Sequence, residues 1–233
     1  MDTFFDKLGL YDFFSLIIGG VVFLCGNYLT GITDAQFIIN MYATLDALLT
    51  IGFIFLISYL LGNFFQRIAD KLFLGKYYSK TKHEILSVKD SVINNPVKLE
   101  IHRKRACKIL ATKGILVEEE NLEKAHSAFY FGYCSYYLQI KGKHEKMEKL
   151  RGMMSLYATL TVSFFSLSLV SIIYALLYSA QLTDQRLLWG VIIYLLFMLT
   201  SYGSFKASSK AWGRIVVNAF DVCYDIENES SNH

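Results

Sequence analysis

Charged residues are so unevenly spaced along this chain that their absence marks its elements. Asp12 to Asp34 encloses 21 uncharged residues, Asp46 to Arg67 encloses 20, Arg151 to Asp184 encloses 32, and Arg186 to Lys206 encloses 19. A helix rising about 1.5 Å per residue needs about 20 apolar residues to cross a bilayer core of about 30 Å. The windows predict four transmembrane helices, over Phe13–Leu29, Ala47–Phe65, Leu156–Tyr178 and Leu187–Phe205. Buried helices of soluble domains seldom run this far without a charge, so the pattern reads as an all-α polytopic membrane protein.

Between the second and third windows the pattern changes to helical amphipathicity. Phe64–Leu74 extends the second span with Phe65, Ile68 and Leu72 against Arg67, Asp70 and Lys71, until Gly75 offers a stop. A short helix is expected over Thr81–Ile93, and Asn94-Asn95-Pro96, with the only proline of the chain, marks a turn. Val97–Thr112 follows, capped by Lys113-Gly114, and then Glu118–Ile140, whose leading glutamates suit the positive end of a helix dipole. After Lys141-Gly142, residues 143–152 are expected to run into the third span without a break, and Ser201–Tyr224 to prolong the fourth as an amphipathic helix. That helix would lie on the membrane surface or dock on the central module. The domains expected are a first hairpin over 1–66, a basic helical module over 67–152, a second hairpin over 153–206, and an amphipathic helix and tail over 207–233.

Charge then orients the chain. Of the 23 lysines and arginines, 18 lie in 67–152, where ten acids leave a net of +8, while the remainder of the chain carries −5. With four spans, Lys7, this module, Lys206, Lys210 and Arg214 share one side and only Arg186 faces the other. The positive-inside rule places both termini and the module in the cytoplasm, with the chain in the cell (inner) membrane. Asp2, Asp6 and Asp12 against Lys7 make the first span a retained anchor rather than a cleaved signal. A basic module beside a bilayer can hold anionic lipid, bind a nucleotide or nucleic acid, or dock an acidic protein, and the first is the commonest use.

Motifs for catalysis are missing. No His-Glu-x-x-His, Gly-x-Ser-x-Gly, glycine-rich phosphate loop or metal-spaced histidine pair occurs. Cys25, Cys107, Cys134 and Cys223 form no Cys-x-x-Cys pair and read as reduced thiols. Neither a cofactor nor a metal site is expected, and an enzyme would need a polar cluster assembled from distant residues, with His83, Glu84, His102 and His126 the first to inspect. No charge sits near the centre of any span, which disfavours proton-coupled carriers and ion pumps.

Small residues carry the intramembrane pattern instead. Ser155, Thr159, Ser163 and Ser166 share one face of the third span, suited to helix packing or, if several subunits surround it, to a pore lining. Gly19, Gly20 and Gly26 in the first span, and Gly52 and Gly62 in the second, allow close helix approach within or between subunits. In the module, His102-Arg103-Lys104-Arg105 is the densest cationic run, and Phe129, Tyr130, Phe131, Tyr133, Tyr136 and Tyr137 the densest aromatic one. On one open surface the two would suit a nucleotide or single strand, although aromatics on every face of a helix more often pack among other helices.

The segment Leu10-Tyr11-Asp12-Phe13-Phe14-Ser15-Leu16-Ile17-Ile18-Gly19, the exit Tyr59-Leu60-Leu61-Gly62-Asn63, and the two-plus-two layout around a basic loop resemble the small multipass proteins of bacterial anti-phage defence islands. That class includes the Kiwa membrane subunit and the type VI CRISPR membrane accessory proteins. The resemblance implies a homo-oligomeric membrane effector or sensor that answers to a cytoplasmic protein partner and alters membrane integrity. It transfers no site residue. The module would be coupled to the second and third spans through the helices at 64–74 and 143–152. A stand-alone ion channel or transport protein is the alternative, and a membrane-bound enzyme without a recognisable motif the third.

Overall fold

The structure, a computed structural model, describes residues 10–32, 47–88, 92–177 and 185–230. It is all-α: α1 Leu10–Leu29, α2 Ala47–Ala69, a π-helical segment Asp70–Leu74, α3 Gly75–Glu84, α4 Pro96–Ala111, a 3₁₀ turn Glu119–Asn121, α5 Lys124–Ile140, α6 Glu145–Leu177 and α7 Gln185–Ser230. No strand occurs among the described residues. Among the described residues, three helical stretches are long and apolar enough to cross a membrane, Leu48–Glu84, Glu145–Leu177 and Gln185–Asp225, and Phe13–Leu29 is a shorter apolar helix. Lys7, Asp34, Asp46, Tyr178 and Asp184, which the sequence reading used as bounds or charges, lie outside the described residues.

The helices fall into two units. The first comprises the described residues up to Leu74 with Gly152–Lys206, and the second comprises Gly75–Arg151 with the chain from Ala207.

The first unit buries small hydroxyl residues within an interior that also holds Leu16, Phe65, Met154, Val162, Leu167 and Phe205, and it exposes many apolar side chains. Ser15, Ser58, Ser155, Thr159, Ser163 and Ser171 are buried, while Leu48, Ile51, Leu56, Leu60, Leu176, Trp189 and Leu199 are exposed. Such a surface in water would be one large apolar patch, whereas lipid tails solvate it well. Close backbone approach holds α1 to α2. A Cβ on Gly20 would lie 1.8 Å from the Ser58 carbonyl oxygen, and one on Gly62 would lie 1.6 Å from that of Leu16. Gly19 meets the Thr159 methyl and the Ser163 hydroxyl of α6, and Gly26 meets Leu167 and Tyr194, whose hydroxyl donates to the Gly26 carbonyl at 2.7 Å. Gly52 faces open space. Thr159 and Ser163 return their hydroxyls to carbonyls four residues back, at 2.9 and 3.0 Å, while Ser155 accepts from Gln66 at 2.9 Å. Ser166 is half-buried.

The second unit has a conventional core of Ile85, Leu86, Ala106, Leu110, Tyr130, Phe131, Leu138, Trp212, Val216 and Phe220. Asn95 caps α4 by accepting from the amides of Val97 and Lys98, and Pro96 occupies the first turn, where its missing N–H costs nothing. Gly114 closes the other end with φ +78°, a left-handed conformation that side chains resist.

Four element boundaries differ from the sequence expectation. Gly75 does not stop a helix: the helical run passes through the π segment and on to Glu84. A helical glycine costs only about 1 kcal/mol, and Phe73, just before it, is held between the rings of Tyr202 and Phe205. The helix expected over Thr81–Ile93 therefore ends at Glu84, where the chain turns to bury Ile85 and Leu86, and residues 89–91 are outside the described set. The helix expected from Glu118 begins at Lys124 instead, because Glu123 is extended and its amide donates to His126 Nδ1 at 3.0 Å. The C-terminal helix persists to Ser230.

Candidate functional site

Four consecutive residues of α4, His102 to Arg105, reach different sets of partners, with Asp221 shared by His102 and Arg105. Arg103 donates to the Leu86 carbonyl at 2.8 Å and to the Glu119 carbonyl, fastening the turn after α3 and the 3₁₀ turn onto α4. Lys104 pairs at 2.6 Å with Glu100, one turn back on the exposed face. Their hydrogen bond and mutual charge hold the Glu100 carboxyl below its ordinary range and the Lys104 ammonium above its own. Arg105 reaches across to α7, pairs with Asp221 and Asp225, and lies 5.2 Å above the Tyr224 ring. His102 is fully buried, with Nδ1 2.8 Å from the Tyr130 hydroxyl and Nε2 3.0 Å from Asp221 Oδ2, in ion-pair range but not aligned for a hydrogen bond.

The result is one polar chain, Tyr130–His102–Asp221–Arg105–Asp225, that ties α5, α4 and α7 together. Its cations are answered by carboxylates inside the unit. Burial pushes both the Tyr130 hydroxyl and the neighbouring Cys134 thiol far above their ordinary values, so neither is a nucleophile at neutral pH. The Cys107 thiol is also raised by burial. No metal-capable group of three His, Cys, Asp or Glu side chains occurs among the described residues. The aromatic run of α5 is divided: Tyr130 and Phe131 are core, Tyr133 packs on Tyr137 and Phe220, and Phe129 and Tyr136 are exposed. The cationic and aromatic runs thus meet through Phe220 and Tyr224 in the interior rather than on an open face.

A second constellation sits elsewhere in the same unit. A cavity of about 360 Å³ is lined by Tyr78 and Lys82 of α3, Phe131, Ser135 and Gln139 of α5, Glu148 and Arg151 of α6, and Trp212 of α7. Spacings of three and four residues put each set on one helical face. Trp212 is 5 % exposed, its indole wedged edge-on to Tyr78 with centroids 4.8 Å apart and against Phe131 at 4.9 Å. The Arg151 guanidinium lies 5.9 Å from the Tyr78 ring. Neither Arg151 nor Lys82 is ion-paired among the described residues, whereas Glu148 has His144 at 3.7 Å. Two lining residues also carry fully buried polar atoms, Trp212 Nε1 and Ser135 Oγ, that have no hydrogen-bond partner among the described residues. A volume of this size falls within the range of about 300–1,000 Å³ typical of small-molecule sites.

No sequence pattern marks this cavity. Its lining comes from four helices, and none of its residues belongs to a motif. Comparison with known protein families, with curated proteins and with solved structures returns no match to this chain.

Proposed function

We propose that the chain is a multipass membrane sensor or effector whose basic helical unit receives a ligand or protein partner and passes the event to the apolar helices. The observation that supports this most is the cavity of the second unit. It gathers Lys82 and Arg151, neither of which has a carboxylate within ion-pair distance among the described residues, beside the aromatic rings of Tyr78 and Phe131. The apolar exterior of the first unit supplies the membrane anchor.

In this reading α1 is the fourth span, the chain sits in the inner membrane, and both termini and residues 67–152 are cytoplasmic. Several copies assemble, and the resemblance to defence-island proteins suggests that the assembly alters membrane integrity during phage infection. Buried ionisable groups at the His102 network are explained by packing, and nothing about them favours catalysis. The test is the mass of the detergent-solubilised complex, with co-purifying proteins identified in the same sample. A closed oligomer carrying one specific cytoplasmic protein supports the reading, and a bare monomer contradicts it.

A further inference from the structure

We infer that the end of the second unit where α3, α6 and α7 meet is a surface for anionic lipid headgroups, formed by Lys76, Lys146, Lys149, Lys210 and Arg214. It is separate from the cavity, whose Lys82 and Arg151 it does not use, and it rests on the membrane anchor proposed above.

Contacts within the unit group the five cations. The rings of Tyr78 and Trp212 lie 4.8 Å apart, and the Arg151 guanidinium lies 5.9 Å from the Tyr78 ring. Lys76 stands two residues before Tyr78, Lys149 two before Arg151, and Lys210 and Arg214 on either side of Trp212. Lys76, Lys146, Lys149 and Lys210 are exposed, and Arg214 is half-buried. None of the five has a carboxylate within ion-pair distance among the described residues, although Glu145 and Glu148 stand among them in sequence.

Position, and not the lack of a carboxylate, singles them out. Lys98, Lys108 and Lys113 of the same unit are exposed and equally unanswered. The five, however, all lie on Leu48–Glu84, Glu145–Leu177 or Gln185–Asp225, the stretches able to cross a membrane, and Lys98, Lys108 and Lys113 lie on none of these. Runs of 37, 33 and 41 residues outlast the about 20 that a bilayer core takes up, and the five cations fall in the surplus. Long basic side chains in that position lay their stems on apolar surface and hold their charges at headgroup level, with Tyr78 and Trp212 as the aromatic residues that favour the same depth. A bilayer presents its anions there without recruiting them from solution, which favours headgroups over a nucleic acid or an acidic protein.

The full chain is purified in mixed micelles of phosphatidylcholine and phosphatidylglycerol in equal amounts, and the lipids retained after washing are counted by mass spectrometry. Phosphatidylglycerol should exceed phosphatidylcholine at least about fivefold, the effect of one cation at an anionic surface, and the excess should shrink at high salt. Replacing all five cations by Gln should return the ratio to that of the mixture, whereas Lys98→Gln, Lys108→Gln and Lys113→Gln together should leave it unchanged. The pairs Lys146→Gln with Lys149→Gln and Lys210→Gln with Arg214→Gln should each remove part of the excess, which reads the surface even where the five-fold variant does not fold. Equal retention of the two lipids by the native chain, or equal losses from the five-fold variant and the Lys98, Lys108 and Lys113 set, overturns the proposal. So does a nucleic acid or acidic protein retained in place of phosphatidylglycerol and lost from the five-fold variant. The cytoplasmic partner is scored in the same samples: a retained partner without lipid preference removes only this surface, and lipid preference in a bare monomer removes the sensor reading.

Discussion

Gly62 of α2 faces the backbone of Leu16 of α1 so closely that a Cβ there would lie 1.6 Å from the Leu16 carbonyl oxygen. Gly20 repeats the relationship in the other direction, against Ser58. Because a backbone cannot step aside as a side-chain tip can, these two glycines set the approach of the hairpin.

Gly62→Ala or Gly20→Ala should therefore destabilise the protein by about 3 kcal/mol or more, the upper range of overpacking. Gly52→Ala, at a position with open space around it, should be neutral or gain up to about 1 kcal/mol of helix propensity. Thermal unfolding in detergent distinguishes them, and equal effects at all three positions would show that the hairpin is not packed in this way.

The Arg105–Asp221 pair should matter more than its exposed neighbour on α4. Arg105→Met and Asp221→Asn should each cost about 2 kcal/mol, since each removes a partly buried, charge-assisted contact. Their double variant should cost less than the two together by at least about 0.5 kcal/mol, the signature of contact. Lys104→Gln, at the surface, should leave stability unchanged. Additive effects for the double variant would contradict the network.

Cys134 predicts a dependence on alkaline pH. Burial holds its thiol neutral in the folded chain at pH values where an unfolded cysteine, with a pKa of about 8.5, ionises. The stabilisation is complete below that value and is lost as pH rises, at about 1.4 kcal/mol per pH unit for each such group. Replacing Cys134 by Ala should flatten the fall in unfolding free energy between pH 8.5 and 10 by about that slope. In the native chain at pH 8, maleimide should label half-buried Cys223 well before Cys134.

The apolar architecture was legible because charge-free windows are a one-dimensional signal. Within the described residues the windows are helical over 13–29, 47–66, 152–177 and 187–205, and the unbroken run from Glu145 into the third window was readable from the lack of a breaker after Gly142. Asn95-Pro96 likewise announces its helix start through local chemistry. What stayed hidden depends on distance in sequence. Asp221 and Asp225 answer Arg105 from 116 and 120 residues away, so no partner for the cationic run of α4 was visible in the sequence. The cavity around Trp212 collects four helices, and Trp212 itself showed only as one apolar position of an amphipathic helix. Gly75 misled because a glycine is a helix stop only where packing does not carry the helix through it.

The central claim is that apolar helices anchor a basic helical unit on the cytoplasmic face, and cysteine accessibility in cells tests it most directly. Single cysteines replace Gln36, Lys113 and Gln181 in a chain whose four native cysteines are changed to alanine. A membrane-impermeant maleimide should label Gln36→Cys and Gln181→Cys in intact cells or spheroplasts, and Lys113→Cys only after permeabilisation. Labelling of Lys113→Cys in intact cells, or of only one of the other two, would contradict the four-span topology and the placement of the basic unit.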